Sequence, residues 1–364
     1  MMLYYWLTVV FILGLIVGSF LNVAVARLPL EKSMIWPGSR CGVCQQPVRW
    51  YDNLPLISYL WLGGRCRTCG ASFSPQYFFV ELLTALGFVG LFYLEVVENI
   101  HDWPDPVGWW QRLYGWYPLR SWCAWAYHAV LFTCLLAAAV MDLNGREIPL
   151  SLTLTGTAIG ILFSPFLAWP WPWSPAIAMP PTGVGLFGNT EWMLHGDVLK
   201  VGVQPWPLWG PLPSFLAPGN WLTGLATSVA GALAGTFFMR GIRFVFGAGL
   251  GKEALGLGDA DLMMMVGAFF GWQVVVIAVF VSVIPAAFVG VIQLVVHRDN
   301  SLPFGPSLAA GSWIAYLCWP WLPPSIRMVL FSWPILLGFV AFSTVFGFAA
   351  SLVIRTATPH EKRA

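Results

Sequence analysis

Residues 256–271 read GLGDADLMMMVGAFFG, and two carboxylates, Asp259 and Asp261, stand at the start of an apolar run. The chain of 364 residues is 58% hydrophobic and only 9% charged, whereas a soluble domain carries about 25% charged residues. A carboxylate at membrane depth is costly and marks a functional site by default. The stretch therefore predicts a membrane protein whose function depends on acidic side chains.

Continuous apolar runs predict an all-α polytopic membrane protein. Backbone groups in lipid must be satisfied internally, and runs that do not alternate favour helices over a barrel. We expect a bundle of eight or nine transmembrane helices, depending on whether residues 261–296 form two helices or one long broken helix. The first run has no basic residue before it and is interpreted as a retained helix rather than a signal peptide. The candidate spans are residues 3–25, 78–98, 123–141, 150–169, 219–239, 261–273, 274–296, 308–321 and 330–354.

The basic residues predict which side each loop faces. Only four of the 18 Lys and Arg residues, Arg112, Arg120, Lys200 and Arg327, fall in the loops that we assign to the outside. The remaining fourteen then face the cytoplasm, which agrees with the positive-inside rule. The net charge of +2 gives no indication of nucleic-acid binding. The cytoplasmic segments are residues 26–77, 142–149, 240–260 and 297–307 and the tail.

Two outer loops have an unusual composition. Residues 99–122 are rich in Trp, and residues 165–218 form a long segment rich in Pro, Gly and Trp. We interpret them as an aromatic belt with irregular turns at the membrane interface. A dedicated binding surface is the alternative.

Two CxxC motifs in the first cytoplasmic loop predict a metal site. Cys41 and Cys44 form one pair, and Cys66 and Cys69 form the other about 20 residues later. This spacing is typical of a four-cysteine zinc ribbon, in which four thiolates form a closed, structural tetrahedral shell. Two disulfides are the alternative, but they require an oxidising compartment. We therefore expect residues 26–77 to form a small zinc-binding loop domain.

Asp142 and Asp259 are the candidate catalytic residues. Asp142 lies at the end of the third helix, where the helix dipole disfavours a negative charge, so it needs another reason to be there. Asp259 begins a later helix at a similar membrane depth, and an N-cap role is its alternative. Two carboxylates that face one water can carry out aspartic-peptidase chemistry. Asp261 faces another side of its helix, and Glu81 is explained by the dipole in the first turn of the second helix, with substrate contact as its alternative.

At these residues the chain resembles the type IV prepilin peptidases, which are membrane aspartic peptidases. The resemblance covers most of the chain and includes GSFLNV at residues 18–23 and the block SRCGVCQQPVRWYDNLPLISYLWLGGRCRTCG at residues 39–70. It continues through VELLTA at residues 80–85. Asp142 followed by Ile148-Pro149, the GxGD motif at residues 256–259 and PFGP at residues 303–306 complete it.

The resemblance implies a bacterial inner-membrane enzyme with its zinc loop and active site on the cytoplasmic side. Members remove the basic leader from type IV prepilins or type II secretion pseudopilins after a glycine, at the cytoplasmic membrane face. Many then methylate the new N-terminal residue with S-adenosylmethionine. By this resemblance Asp142 and Asp259 are the catalytic pair and the four cysteines are zinc ligands. The implied partners are prepilin substrates and membrane lipid.

The resemblance also implies a division of the chain into three parts, and it leaves alternatives. Residues 1–25 are the first transmembrane helix, residues 26–77 the zinc-binding loop domain and residues 78–364 the peptidase core. Many relatives have Lys two residues after the GxGD aspartate, where this chain has Asp261. A peptidase without methyltransferase activity is one alternative. A non-enzymatic zinc-ribbon scaffold in the membrane is the other.

Overall fold

The structure of the protein is a computed structural model. It describes residues 2–101, 111, 114–167, 214–216, 220–251, 256–296, 303–323, 326, 329–330 and 333–357. The helices are α1 Met2–Arg27, α2 Ile57–Trp61, α3 Gln76–Leu91, α4 Leu119–Leu143, α5 Leu150–Phe163, α6 Trp221–Leu250, α7 Leu257–Val296, α8 Gly305–Cys318 and α9 Trp333–Ala357.

The described residues form helices and no β-strands, which confirms the predicted all-α class. In the part of the chain that the structure describes, five helical stretches are long and apolar enough to cross a membrane, and two shorter apolar helices, Leu150–Phe163 and Pro334–Ala349, accompany them. Each predicted span overlaps one of the observed helices. Most of the predicted outer loop at residues 165–218, and part of the one at residues 99–122, lies outside the described residues.

Helix α7 is broken at Gly271, where the backbone has φ 74° and ψ 168°. Contacts to α8 show that the chain turns back at this break. Ser312 lies 4.0 Å from the sulfur of Met263, and a Cβ on the adjacent Gly311 would lie 2.8 Å from Ser282. Met263 and Ser282 would stand about 28 Å apart on a straight helix, at about 1.5 Å per residue. Residues 257–296 are therefore two helical segments, as one of the two predictions for this run had it.

By its internal contacts the chain forms two compact units. The first comprises Met1–Leu152 with Pro303–Ala309, and the second comprises Thr153–Leu302 with Ala310–Ala364.

In the first unit, α1 and α3 approach each other through Gly14 and Gly18. A Cβ on Gly14 would lie 2.6 Å from the Cα of Ala85, and a Cβ on Gly18 would lie 2.8 Å from the Cα of Glu81. Small residues spaced by four positions let helix backbones pack closely in lipid, where the hydrophobic effect does not drive helices together. The end of this helix pair is filled by a buried apolar cluster of Leu21, Val25, Val80, Ala137, Val140 and Met141.

In the second unit, α6 packs against the first segment of α7 in the same way. A Cβ on Gly231 would overlap the carbonyl oxygen of Gly267, and a Cβ on Gly235 would overlap that of Met263. The buried Ser228 hydroxyl adds a 2.7 Å hydrogen bond to the carbonyl of Ala268. These contacts hold the backbones of the two helices together along the segment that begins beside Asp259.

We expect Gly231→Ala to lower the thermal stability of the purified protein in detergent. The new methyl group overlaps the facing backbone, and overpacking of this kind costs about 1–3 kcal/mol. Gly241→Ala is the matched control on the same helix, because a Cβ there meets nothing within 4 Å. The control should be neutral or stabilising by up to about 1 kcal/mol, since Ala favours helix over Gly. Equal melting temperatures for the two variants would contradict this packing.

Candidate active site and metal centre

Asp142 lies at the end of α4 and is held by the first residue of α8. The backbone N–H of Gly305 donates a 2.8 Å hydrogen bond to Oδ2 of Asp142. The first N–H groups of a helix have no partner inside it and carry partial positive charge. The N-terminus of α8 therefore offsets the negative charge that the C-terminus of α4 disfavours. This contact explains why an aspartate can lie at the end of α4.

Gly305 has no room for a side chain. A Cβ at this position would lie 2.8 Å from Oδ2 and 3.3 Å from Cγ of Asp142. The PFGP segment, for which the sequence indicated no role, thus brings a glycine against the candidate catalytic carboxylate. The turn after Asp142 is also anchored, because Arg146 donates a 3.0 Å hydrogen bond to the carbonyl of Val25 at the end of α1.

Asp259 lies in the first turn of α7 and is 9% exposed. The helix begins at Leu257, so Asp259 is inside the helix and not at the N-cap position that was its alternative. A carboxylate in the first turn is favoured by the helix dipole. A Cβ on Gly256 would lie 3.5 Å from Oδ2 of Asp259, which is an ordinary contact.

Asp261 faces a different neighbour from Asp259. Its carboxylate lies 3.5 Å from the guanidinium of Arg240 on α6. More than half of the Arg240 side chain is exposed, so this ion pair contributes about 0–1 kcal/mol. Asp261 therefore has a partner of opposite charge on the adjacent helix.

The four cysteines of the first loop come together, as the sequence predicted. Their sulfurs all lie within 4.8 Å of one another. Two of the separations are 3.8 Å, between Cys41 and Cys69, and 4.0 Å, between Cys44 and Cys66. Four sulfurs around a tetrahedral zinc ion lie about 3.8 Å apart, given a Zn–S bond of about 2.3 Å. The thiols are free, and their spacing fits a metal rather than disulfides of about 2.05 Å.

Each CxxC motif is a knuckle with the same backbone hydrogen bonds. Cys41 donates to the carbonyl of Gln46 and accepts from Gln45, and Cys66 donates to Ala71 and accepts from Gly70. The fourth residue after each first cysteine has a left-handed backbone, with φ 58° at Gln45 and 71° at Gly70. The repetition shows that both motifs are built to present two sulfurs to one point.

The backbone amides of each knuckle favour the thiolate form of its first cysteine, whereas burial and the neighbouring sulfurs raise the pKa of Cys44 to about 11. The backbone N–H groups of Cys44 and Val43 lower the pKa of Cys41 to about 6. The corresponding N–H groups of Cys69 and Thr68 lower the pKa of Cys66. Since the thiolate is the metal ligand, these amides prepare the site for a cation.

Glu81 has a role that the sequence did not indicate. Helix α3 begins at Gln76, so Glu81 is not in the first turn and the dipole explanation is wrong. Its carboxylate is buried and accepts a 2.8 Å hydrogen bond from the backbone N–H of Leu56 in the loop domain. Leu56 has a positive φ of 57°, which is strained for a bulky residue. Glu81 thus fixes the loop domain to α3.

Comparisons with known proteins agree on one family. Residues 12–94 match the bacterial peptidase A24 N-terminal domain, and residues 205–291 match the type IV leader peptidase family. The chain is 29% identical over 341 residues to a prepilin leader peptidase/N-methyltransferase of Aeromonas hydrophila, covering 86% of this chain and 91% of the relative. The corresponding protein of Stutzerimonas stutzeri is also 29% identical, over 84% of this chain and 88% of its own length.

The chain is similar to the type IV prepilin peptidases over most of its length. A third relative, the prepilin leader peptidase/N-methyltransferase of Myxococcus xanthus, is 30% identical over 78% of this chain and 62% of its own length. No solved structure matches the chain. The four cysteines lie within the first family match and Asp259 lies within the second, whereas Asp142 falls between the two.

We expect Cys66→Ser to lose most of the zinc that purifies with the wild-type protein, measured by inductively coupled plasma mass spectrometry. The change removes one of four thiolates from a closed tetrahedral shell. Cys318→Ser is the matched control, because Cys318 is exposed and outside the cluster. A Cys66→Ser protein with as much zinc as the control would contradict the metal site.

Proposed function

We propose that this chain is a membrane aspartic endopeptidase that also methylates its product. It removes the basic leader of type IV prepilins or type II secretion pseudopilins after a glycine at the cytoplasmic membrane face. It then methylates the new N-terminal residue. The observation that carries the proposal is the match of both family domains together with relatives named prepilin leader peptidase/N-methyltransferase over most of the chain.

Asp142 and Asp259 are the catalytic residues in this proposal. One ionised carboxylate takes a proton from the attacking water, and the other, protonated, donates a hydrogen bond to the scissile carbonyl oxygen. Two carboxylates that act on one water share a proton, because two like charges cannot both ionise cheaply at short range. The support is that both residues lie at a helix N-terminus, that of α8 for Asp142 and that of α7 for Asp259.

The cysteine cluster holds a structural zinc ion in this proposal. The tetrahedral fit of the sulfurs supports it, and a closed four-thiolate shell leaves no position for substrate. Residues 26–77 form the zinc domain, between the first transmembrane helix at residues 1–25 and the peptidase core at residues 78–364. The zinc domain and the two carboxylates face the cytoplasm, in agreement with the positive-inside count. S-adenosylmethionine supplies the methyl group.

We expect Asp142→Asn and Asp259→Asn each to reduce cleavage of a prepilin leader peptide in detergent by at least about 100-fold, since each removes a proton-transfer group. The matched controls are Glu147→Gln and Asp261→Asn, which remove nearby carboxylates from an exposed turn and from a surface ion pair. Both controls should cleave at nearly the wild-type rate. Persistent cleavage in both aspartate variants would exclude the catalytic pair and leave a scaffold function.

We expect Gly305→Ala to reduce cleavage by about 100-fold, because a displacement of about 1 Å at a catalytic group costs that much. The added methyl group takes the space of the Asp142 carboxylate. Gly338→Ala is the control, since a Cβ there meets nothing within 4 Å. Zinc content serves as the test of folding. A Gly305→Ala enzyme with the wild-type rate would show that this contact does not position Asp142.

A further inference from the structure

A cavity of about 270 Å³ lies between α1, the loop domain and α3, all within the first unit. Ser19, Asn22 and Ala26 form its α1 wall, at the spacing of one helix face. A neighbouring cavity of about 400 Å³ shares Ser19 and Val23 with it. The combined space is in the range of about 300–1,000 Å³ that is usual for small-molecule sites.

The cavity has a buried carboxyl group. Glu81 lines it and is 8% exposed, and its carboxylate accepts the N–H of Leu56. Among the described residues, no Lys or Arg forms a salt bridge with Glu81. A buried charge is costly unless it is paired. The site therefore favours a ligand that brings a positive charge to Glu81.

The same cavity also has a positive side and an aromatic side. Arg27 lines it and donates to the backbone carbonyls of Ser33, Met34 and Gly38, and within the described part of the chain no salt bridge joins Arg27 to a carboxylate. Tyr59, Phe73 and Tyr77 supply aromatic surface. A ligand that fits all three sides carries a cationic centre, an anionic group and a flat ring that stacks on aromatic side chains.

We propose that this cavity is the binding site for S-adenosylmethionine, with Glu81 facing its cationic part and Arg27 its carboxylate. The inference rests on the proposed methyltransferase function, and it assigns that function a site. S-adenosylmethionine has a sulfonium and an ammonium group, a carboxylate and an adenine ring. These groups match the acidic, basic and aromatic sides of the cavity. The lining has two basic residues, Arg27 and Arg40, and two acidic ones, Asp52 and Glu81, so it suits a ligand that carries both charges better than a uniformly basic leader.

The cavity lies beside the zinc-binding knuckle and beside the end of α1 that Arg146 contacts. Gly42, between two metal ligands, lines it, so the zinc-binding knuckle forms part of its wall. Arg146, four residues after Asp142, holds the carbonyl of Val25 in the last turn of α1, next to the cavity residue Ala26. The methyl donor would therefore be held by the same helix end that anchors the turn after Asp142.

The test measures binding of S-adenosylmethionine to the purified full chain by isothermal titration calorimetry in detergent. Ala26→Phe fills the cavity, and Glu81→Gln removes its charge while keeping an oxygen that accepts from Leu56. We expect each to weaken binding at least tenfold. The controls are Val9→Phe on the exposed face of α1 and Glu98→Gln at an exposed position beyond α3, and both should bind as the wild type does.

A second readout locates the ligand directly. Ultraviolet cross-linking of radiolabelled S-adenosylmethionine, followed by mass spectrometry, should label peptides from α1, the loop domain or the start of α3. Label confined to other peptides, or wild-type affinity in both Ala26→Phe and Glu81→Gln, would overturn the site and leave the methyltransferase function standing. Loss of leader cleavage in Ala26→Phe with unchanged donor binding would instead assign the cavity to the leader. A wild-type protein that binds no S-adenosylmethionine would refute both the site and the methyl-transfer half of the proposed function.

Discussion

Helix backbones in this molecule approach each other closely at glycines, and the candidate sites depend on these approaches. In lipid, helices gain little from burying apolar side chains, so close packing and hydrogen bonds between them decide their positions. The approach of Gly14 and Gly18 to α3 places Ser19 and Asn22 of α1 in the lining of the same cavity as Glu81 of α3. The approach of Gly231 and Gly235 to α7 fixes the segment that Asp259 begins.

The positions of Asp142 and Asp259 follow from a second constraint: a negative charge near lipid needs a positive charge or partial charge close to it. Asp259 lies in the first turn of its own helix, where the partial positive charge of the N-terminus favours it. Asp142 lies at the unfavourable end of its helix and is offset by the first N–H of α8 instead. This contact needs a glycine at position 305, because a Cβ there would lie 2.8 Å from Oδ2 of Asp142.

The parts that were predictable from the sequence are those set by local spacing. Two CxxC motifs bring four sulfurs together because each motif turns through its own backbone hydrogen bonds. The contact between Asp142 and Gly305 joins residues 163 positions apart, and no periodicity indicates it. The apolar pattern predicts a start for α3 that is two residues late, which puts the buried Glu81 in the first turn, and its partner Leu56 lies in an irregular loop. The sequence does not decide whether the chain reverses at Gly271, because the apolar run continues through this residue.

In the proposed function a single polypeptide cuts a prepilin and methylates the end that the cut exposes. The most direct measurement is mass spectrometry of a prepilin with a basic leader after incubation with the purified chain and S-adenosylmethionine. We expect a product that begins at the residue after the leader glycine and carries one added methyl group. A substrate that keeps its leader would contradict the proposed function.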